Sequence, residues 1–115
     1  MRKIIVAAAF ATIMPVAAFA HHGWSSYDAN NVLTLKGAIL ESRYENPHGE
    51  LMLEDSGKRW LVTLAPVSRM QARGLPREAL AVGKTVTVVG YPSRVKEGEM
   101  RAERITAEGK TVELR

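Results

Sequence analysis

The sequence contains no cysteine, so disulfides, thiolate metal sites and cysteine nucleophiles are all excluded. It also lacks a Gly-x-Ser-x-Gly elbow, a His-Glu-x-x-His pair and a glycine-rich phosphate loop, which removes the commonest routes to hydrolase, zinc-protease and nucleotide chemistry. No repeat of 20 to 50 residues and no Ser/Gly- or Pro-rich linker divides the chain. Among 115 residues, 46% are hydrophobic and 24% charged, a balance that sets aside disorder and collagen-like architecture. Composition by itself names no activity.

The one long apolar run stands at the start. Met1-Arg2-Lys3 is basic, Ile4 to Met14 is uncharged and almost wholly apolar, and Ala18-Phe19-Ala20 has the small-x-small form of a cleavage site. The run falls short of the roughly 18 or more residues that a membrane helix needs, and Pro15 interrupts it. We therefore expect residues 1–20 to be a signal peptide and His21 to Arg115 to form a single exported β-barrel-like domain. No stable membrane span is expected after processing. Loss of residues 1–20 takes away Arg2 and Lys3 and no acid, which halves the formal net charge of +4. An exported protein without cysteines suits a periplasm, where oxidising conditions leave it unaffected.

The rest of the chain reads as mainly β. Val32 to Tyr44 carries Leu33, Leu35 and Ile39 on one alternation and Leu40 and Tyr44 on the other, which predicts a long strand bent or bulged near Gly37. Asn46-Pro47 breaks the pattern and predicts a turn at 45–49. Leu51 to Leu53 and Arg59 to Leu64 are joined by Asp55-Ser56-Gly57-Lys58, the residues of a hairpin turn. Trp60, Val62 and Leu64 share one face of that strand, and that face is expected to be core. Pro66 suits the first turn of a helix running to Arg73, Val67 and Met70 have i, i+3 spacing, and Gly74 suits the residue past the helix end. Arg77 to Leu80 adds a further short turn of helix. Thr85 to Tyr91 and Met100 to Ala107 are the fourth and fifth strands, and Thr111 to Leu114 is a last extended piece. Three strands, one short helix and two more strands is the order of a small OB-like five-stranded barrel, an order shared by small open β-sandwiches and other α+β meanders.

All three histidines fall in two places. His21-His22 would open the processed chain, and His48 sits in the Asn46-Pro47-His48 turn. Cleavage after Ala20 would give His21 a free α-amino group beside its own imidazole, and His22 would add a second ring. Such a nitrogen-rich set favours Cu(II), the strongest binder of the divalent series. His48 would complete a brace-like site if its turn folds back towards the amino terminus. The plainer readings are a solvated terminal pair and a turn histidine bonded to a nearby carbonyl or carboxylate such as Glu50. Ser25, Ser26 and Asp28 lie beside the histidine pair, but no oxyanion hole accompanies them, and Asp28 suits an Asx turn over Asp28-Ala29-Asn30-Asn31. Trp24 and Tyr27 read as anchors for the entering segment. Arg94, at the exit of the fourth strand, reads as part of a solvated rim. Arg69, Arg73, Arg77, Lys84, Lys96, Arg101 and Arg104 are interleaved with Glu78, Glu97, Glu99 and Glu103, which dilutes any nucleic-acid footprint.

Taken together, His21-His22-Gly-Trp-Ser-Ser-Tyr-Asp28, Thr34-Leu-Lys-Gly37, Asn46-Pro47-His48, Trp60, Gly74, Gly83 to Val86 and Gly90-Tyr91-Pro92-Ser93-Arg94 resemble a family of small exported bacterial proteins of unknown function. The resemblance runs along essentially the whole processed chain and implies export and one β-rich domain, but no reaction. Family members commonly begin His-His-Ser-aromatic, where this chain has Gly23 before Trp24. Some carry an acid shortly after the position of Trp60, where this chain has Val62-Thr63, so no carboxylate role transfers to that place.

The expectation is a periplasmic, non-enzymatic metal-binding protein without catalytic residues, taking copper through His21, His22 and His48. The alternative is a β-barrel protein-interaction module of the cell envelope, docking a partner through the first-strand turn and the fourth-strand exit. A copper redox enzyme ranks third. Nucleic acid is not an expected partner.

Overall fold

Alternation of apolar and polar residues builds six strands in the computed structural model, which describes residues 23–115. The expected signal peptide, His21 and His22 lie outside the described residues. Strand β1 (Leu33–Arg43) leads through a turn to β2 (Glu50–Asp55), and a tight hairpin joins β2 to β3 (Lys58–Thr63). Helix α1 (Val67–Ala72) and a 3-10 turn at Arg77–Leu80 precede β4 (Thr85–Pro92), β5 (Glu99–Ala107) and β6 (Lys110–Glu113).

The strands follow the order β3-β2-β1-β4-β5-β6, and a parallel pairing of β3 with β5 closes the first five into a barrel. Closure through β5, with a helix between β3 and β4, is the OB-type arrangement expected from the element order. A sixth strand extends it: β6 pairs antiparallel with the far end of β5. The last extended piece thus begins one residue earlier than Thr111.

Three local expectations need correction. The bulge of β1 falls between Ile39 and Glu41, not at Gly37. Gly37 answers a different need, because a side chain there would run into the backbone carbonyl of Glu54 on β2. Pro66 stands just ahead of α1 at the N-cap position, and Val67 is the first helical residue. Trp60 is half-buried, packed against the core rather than inside it, and the Lys58 ammonium lies 4.2 Å from its ring centroid. Its strand has just left the Ser56-Gly57 turn, where the barrel interior ends. The helix end is as expected: Gly74, at φ 85°, lets Leu75 N donate to Met70 O (2.8 Å) and Gly74 N to Gln71 O (3.1 Å), a Schellman motif.

The core is apolar throughout. Leu35 and Ile39 of β1, Leu51 and Leu53 of β2, Val62 of β3, Val86 and Val88 of β4, and Met100 and Ile105 of β5 fill the barrel. Met70, Leu75 and Leu80 plug the end under α1. No polar or charged residue is buried among the described residues.

Candidate functional site

The β1–β2 turn and the amino-terminal segment carry the described residues singled out by the sequence, and each is held by a specific set of bonds. Residues 44–49 form the turn, with a cis peptide at Asn46-Pro47. Tyr44 is buried at its start and its hydroxyl donates to Leu75 O, while the Arg77 guanidinium lies 5.1 Å from its ring centroid. Burial pushes the Tyr44 phenol above its ordinary range, with Arg77 opposing and Glu78 reinforcing the shift. At the other end Gly49 N donates to Ala65 O (2.9 Å) and Leu64 N donates to Gly49 O (2.8 Å), so the turn is stitched to the segment that enters α1.

His48 is therefore held on the α1 end of the barrel. It is half-buried, and its Nδ1 is shielded from solvent with no hydrogen-bond partner among the described residues. The expected bond to Glu50 does not form. Arg43 and Glu50 face each other across the β1–β2 ladder, and their side chains pair at 3.6 Å instead. A sheltered ring nitrogen without a partner is costly unless something else engages it.

The described chain starts at Gly23 with a 3-10 turn over Trp24–Ser26. This segment is strapped to the β4–β5 connection: Tyr27 bridges Ser93, Asp28 N donates to Pro92 O (2.9 Å), and Arg94 N donates to Ser26 O (3.0 Å). Arg94 is more than a rim residue, since its Nε also donates to Ser25 O at 3.2 Å. Asp28 forms the expected Asx turn by accepting from Asn30 N at 3.0 Å.

Trp24 anchors the segment. Its ring meets Tyr91 edge-on at a centroid distance of 6.1 Å, and the guanidinium carbons of Arg101 and Arg115 lie 4.3 Å and 4.4 Å from its centroid. Arg115 also donates to Glu103 Oε1 at 3.4 Å. The hydrogen bond between the Tyr91 phenol and Glu103 raises the Tyr91 pKa, with burial and the Glu103 charge adding to the shift. Desolvation lowers that of Arg101. Neither guanidinium contact was expected from the sequence, where Arg101 is one charge among many on a mixed face and Arg115 is the last residue.

Strand register relates the two places. Arg101 pairs with Thr63, and Thr63 pairs in turn with Glu50, two residues from His48. Helix α1 touches both. Gly49 leaves room for the Met70 methyl, while Arg69 and Arg73 donate to Leu114 O (2.9 Å) and Glu113 O (2.8 Å), and Arg73 also to Arg115 O (3.1 Å). Among the described residues no three His, Asp or Glu side chains cluster as a metal site. On the outer face of β1–β2–β3 an open cleft of about 210 Å³ is lined by Glu41, Arg43, Glu50, Leu51, Met52 and Leu61. No helix among the described residues is long and apolar enough to cross a membrane.

Comparison with known proteins gives a family and a fold. No curated protein matches the sequence. A chain in the crystal structure of TiaS in complex with an isoleucine tRNA and ATP superposes with a TM-score of 0.50 at 22% identity, covering 74% of this chain and 19% of that one. At that identity the likeness is one of fold alone. The model of DUF6152, a family of unknown function, matches residues 9–102, and the chain belongs to that family.

Proposed function

We propose that this family member is a periplasmic, non-enzymatic metal-binding protein, with copper as its metal and His21, His22 and His48 as the ligands. The observation that carries the reading is the sheltered Nδ1 of His48, which has no partner among the described residues. A ring nitrogen with its lone pair uncommitted suits a metal ligand. The terminal amine and two adjacent imidazoles of a chain starting at His21 would supply further nitrogen donors, the set that favours Cu(II). Such donors bind only when deprotonated, so affinity should fall as pH drops through the ordinary imidazole range near about 6.5.

The test is a competition titration of Cu(II) into the processed protein, a form carrying one extra residue ahead of His21, and His48→Ala. The proposal expects both altered forms to lose affinity. Unchanged binding in His48→Ala would confine the site to the terminal pair, and weak binding by all three would overturn the metal reading.

One observation favours the second reading, an envelope interaction module. Val95, in the β4–β5 connection, is 83% exposed on the same rim that holds the amino-terminal segment, and an apolar side chain there suits a docked protein. The tRNA and ATP of the superposed complex are that protein's ligands. Here acidic and basic residues are interleaved along the chain, which does not favour a polyanion.

A further inference from the structure

Two parts of the surface complement each other in shape and charge. The first is the tip of the β4–β5 connection, Arg94-Val95-Lys96. Val95 N and Lys96 N both donate to Ser93 Oγ, at 3.2 Å and 3.0 Å, and Ser93 N donates to Glu99 O (2.9 Å), which closes the loop at its base. Val95 is thereby held out on an ordered tip, 83% exposed, and the Lys96 ammonium beside it has no ion pair among the described residues. A lone exposed valine is ordinary on a protein surface, but one fixed on an ordered tip between two cations is preorganised for a cleft that matches it. The second part is such a cleft, on the outer face of β1–β2–β3. Strand register sets Glu41, Met52 and Leu61 side by side across these strands. Met52 and Leu61 are half-buried and give the cleft of about 210 Å³ an apolar floor, with Glu41 exposed at its edge. Arg43 and Glu50 also line it and pair with each other at 3.6 Å, so Glu41, which has no ion pair among the described residues, sets the sign of the charge.

We propose that the occupant of this cleft is the tip of a second copy of the same chain, with Val95 against Met52 and Leu61 and Lys96 facing Glu41. The proposal does not draw on the metal reading; it rests on the interaction-module reading and names its partner. The contact is heterologous, because the tip of one copy meets the cleft of another. The valine supplies apolar burial and the Lys96–Glu41 pair sets the orientation. One loop tip in one cleft falls short of the roughly 1,000 Å² that a lasting interface buries, so the association is weak and depends on protein concentration. Added salt weakens it further by screening the exposed charges.

The experiment is sedimentation velocity on the exported full chain, without added metal, from about 10 µM to about 1 mM. The parent should shift from monomer towards larger species across this range, and less so in high salt. Val95→Asp should stay monomeric throughout. Lys96→Glu and Glu41→Lys each turn the attraction into repulsion and should weaken association by about three- to tenfold. Mixing these two variants is the decisive arm. In the mixture the unchanged tip of the Glu41→Lys chain meets the unchanged cleft of the Lys96→Glu chain, and the substituted tip meets the substituted cleft, so association should return to the parent level. All three positions are exposed and outside the core, and circular dichroism checks that each variant is folded. If Val95→Asp fails to fold, the charge pair decides. A parent that stays monomeric at every concentration would overturn the second copy as occupant, while docking of a different protein at Val95 would still stand. A parent that associates equally well in all variants, or charge variants whose mixture does not recover, would place the contact elsewhere and overturn the tip-in-cleft proposal.

Discussion

The barrel interior and its rim are built on opposite principles. Leu53, Val62, Val88 and Ile105 are fully buried, uncharged and interchangeable in chemistry, differing only in shape. Around the rim, Trp24, His48 and Arg101 are half-buried, and each engages or leaves open a specific group. The interior dictates that a closed barrel forms and carries no chemistry. The rim adds little to the core, yet it gathers the aromatic and guanidinium contacts and the unpaired His48 nitrogen. Substitutions should therefore divide into those that unfold the protein without touching its site and those that alter the site with the fold intact.

The sharpest separation comes from Leu53→Ala, which should cost about 2–5 kcal/mol in urea denaturation because the cavity it leaves lies in a closed barrel. Copper binding per folded molecule should be unchanged. Trp60→Ala probes the boundary between the two regions. A half-buried indole should cost about 2 kcal/mol, short of the roughly 3–5 kcal/mol of a buried one, and a larger loss would move Trp60 into the core. Tyr44→Phe removes the donor to Leu75 O and should cost about 1 kcal/mol by the same measurement. Because Tyr44 opens the turn that carries His48, it is the one core residue whose change should also weaken copper binding.

The smallest effect is in alkali. The hydrogen bond to Glu103 raises the Tyr91 pKa above its ordinary 10.0, and burial raises that of Tyr44. A phenol whose pKa is higher folded than unfolded contributes stability that is full below the unfolded value and is lost as pH rises through the folded one. The melting temperature should hold up to about pH 10 and fall beyond it. Tyr91→Phe should flatten part of that fall, and an unchanged profile would show that the Tyr91 phenol contributes none of it.

What the sequence made legible was local. Alternation along β1 to β5, the Asp55-Ser56-Gly57-Lys58 turn and Gly74 past α1 are each written within a few residues, and barrel and helix follow from them. Gly37 was legible as a special position but not for its reason, since the approach of the Glu54 carbonyl depends on how β2 crosses β1. The histidines were visible as candidates. The Arg43–Glu50 pairing that leaves His48 Nδ1 without Glu50 depends on register, which the sequence does not print. The contacts of Arg101 and Arg115 with Trp24 join residues far apart in sequence and have no periodicity to betray them.

The central claim is that His48 and the processed amino terminus hold one copper ion together. Electron paramagnetic resonance of Cu(II) bound to processed protein with ¹⁵N-labelled histidine, compared with His48→Ala prepared in the same way, tests it most directly. The account predicts that the parent shows one more coupled imidazole nitrogen than the variant at one equivalent of copper. Identical nitrogen couplings in the two proteins would contradict it.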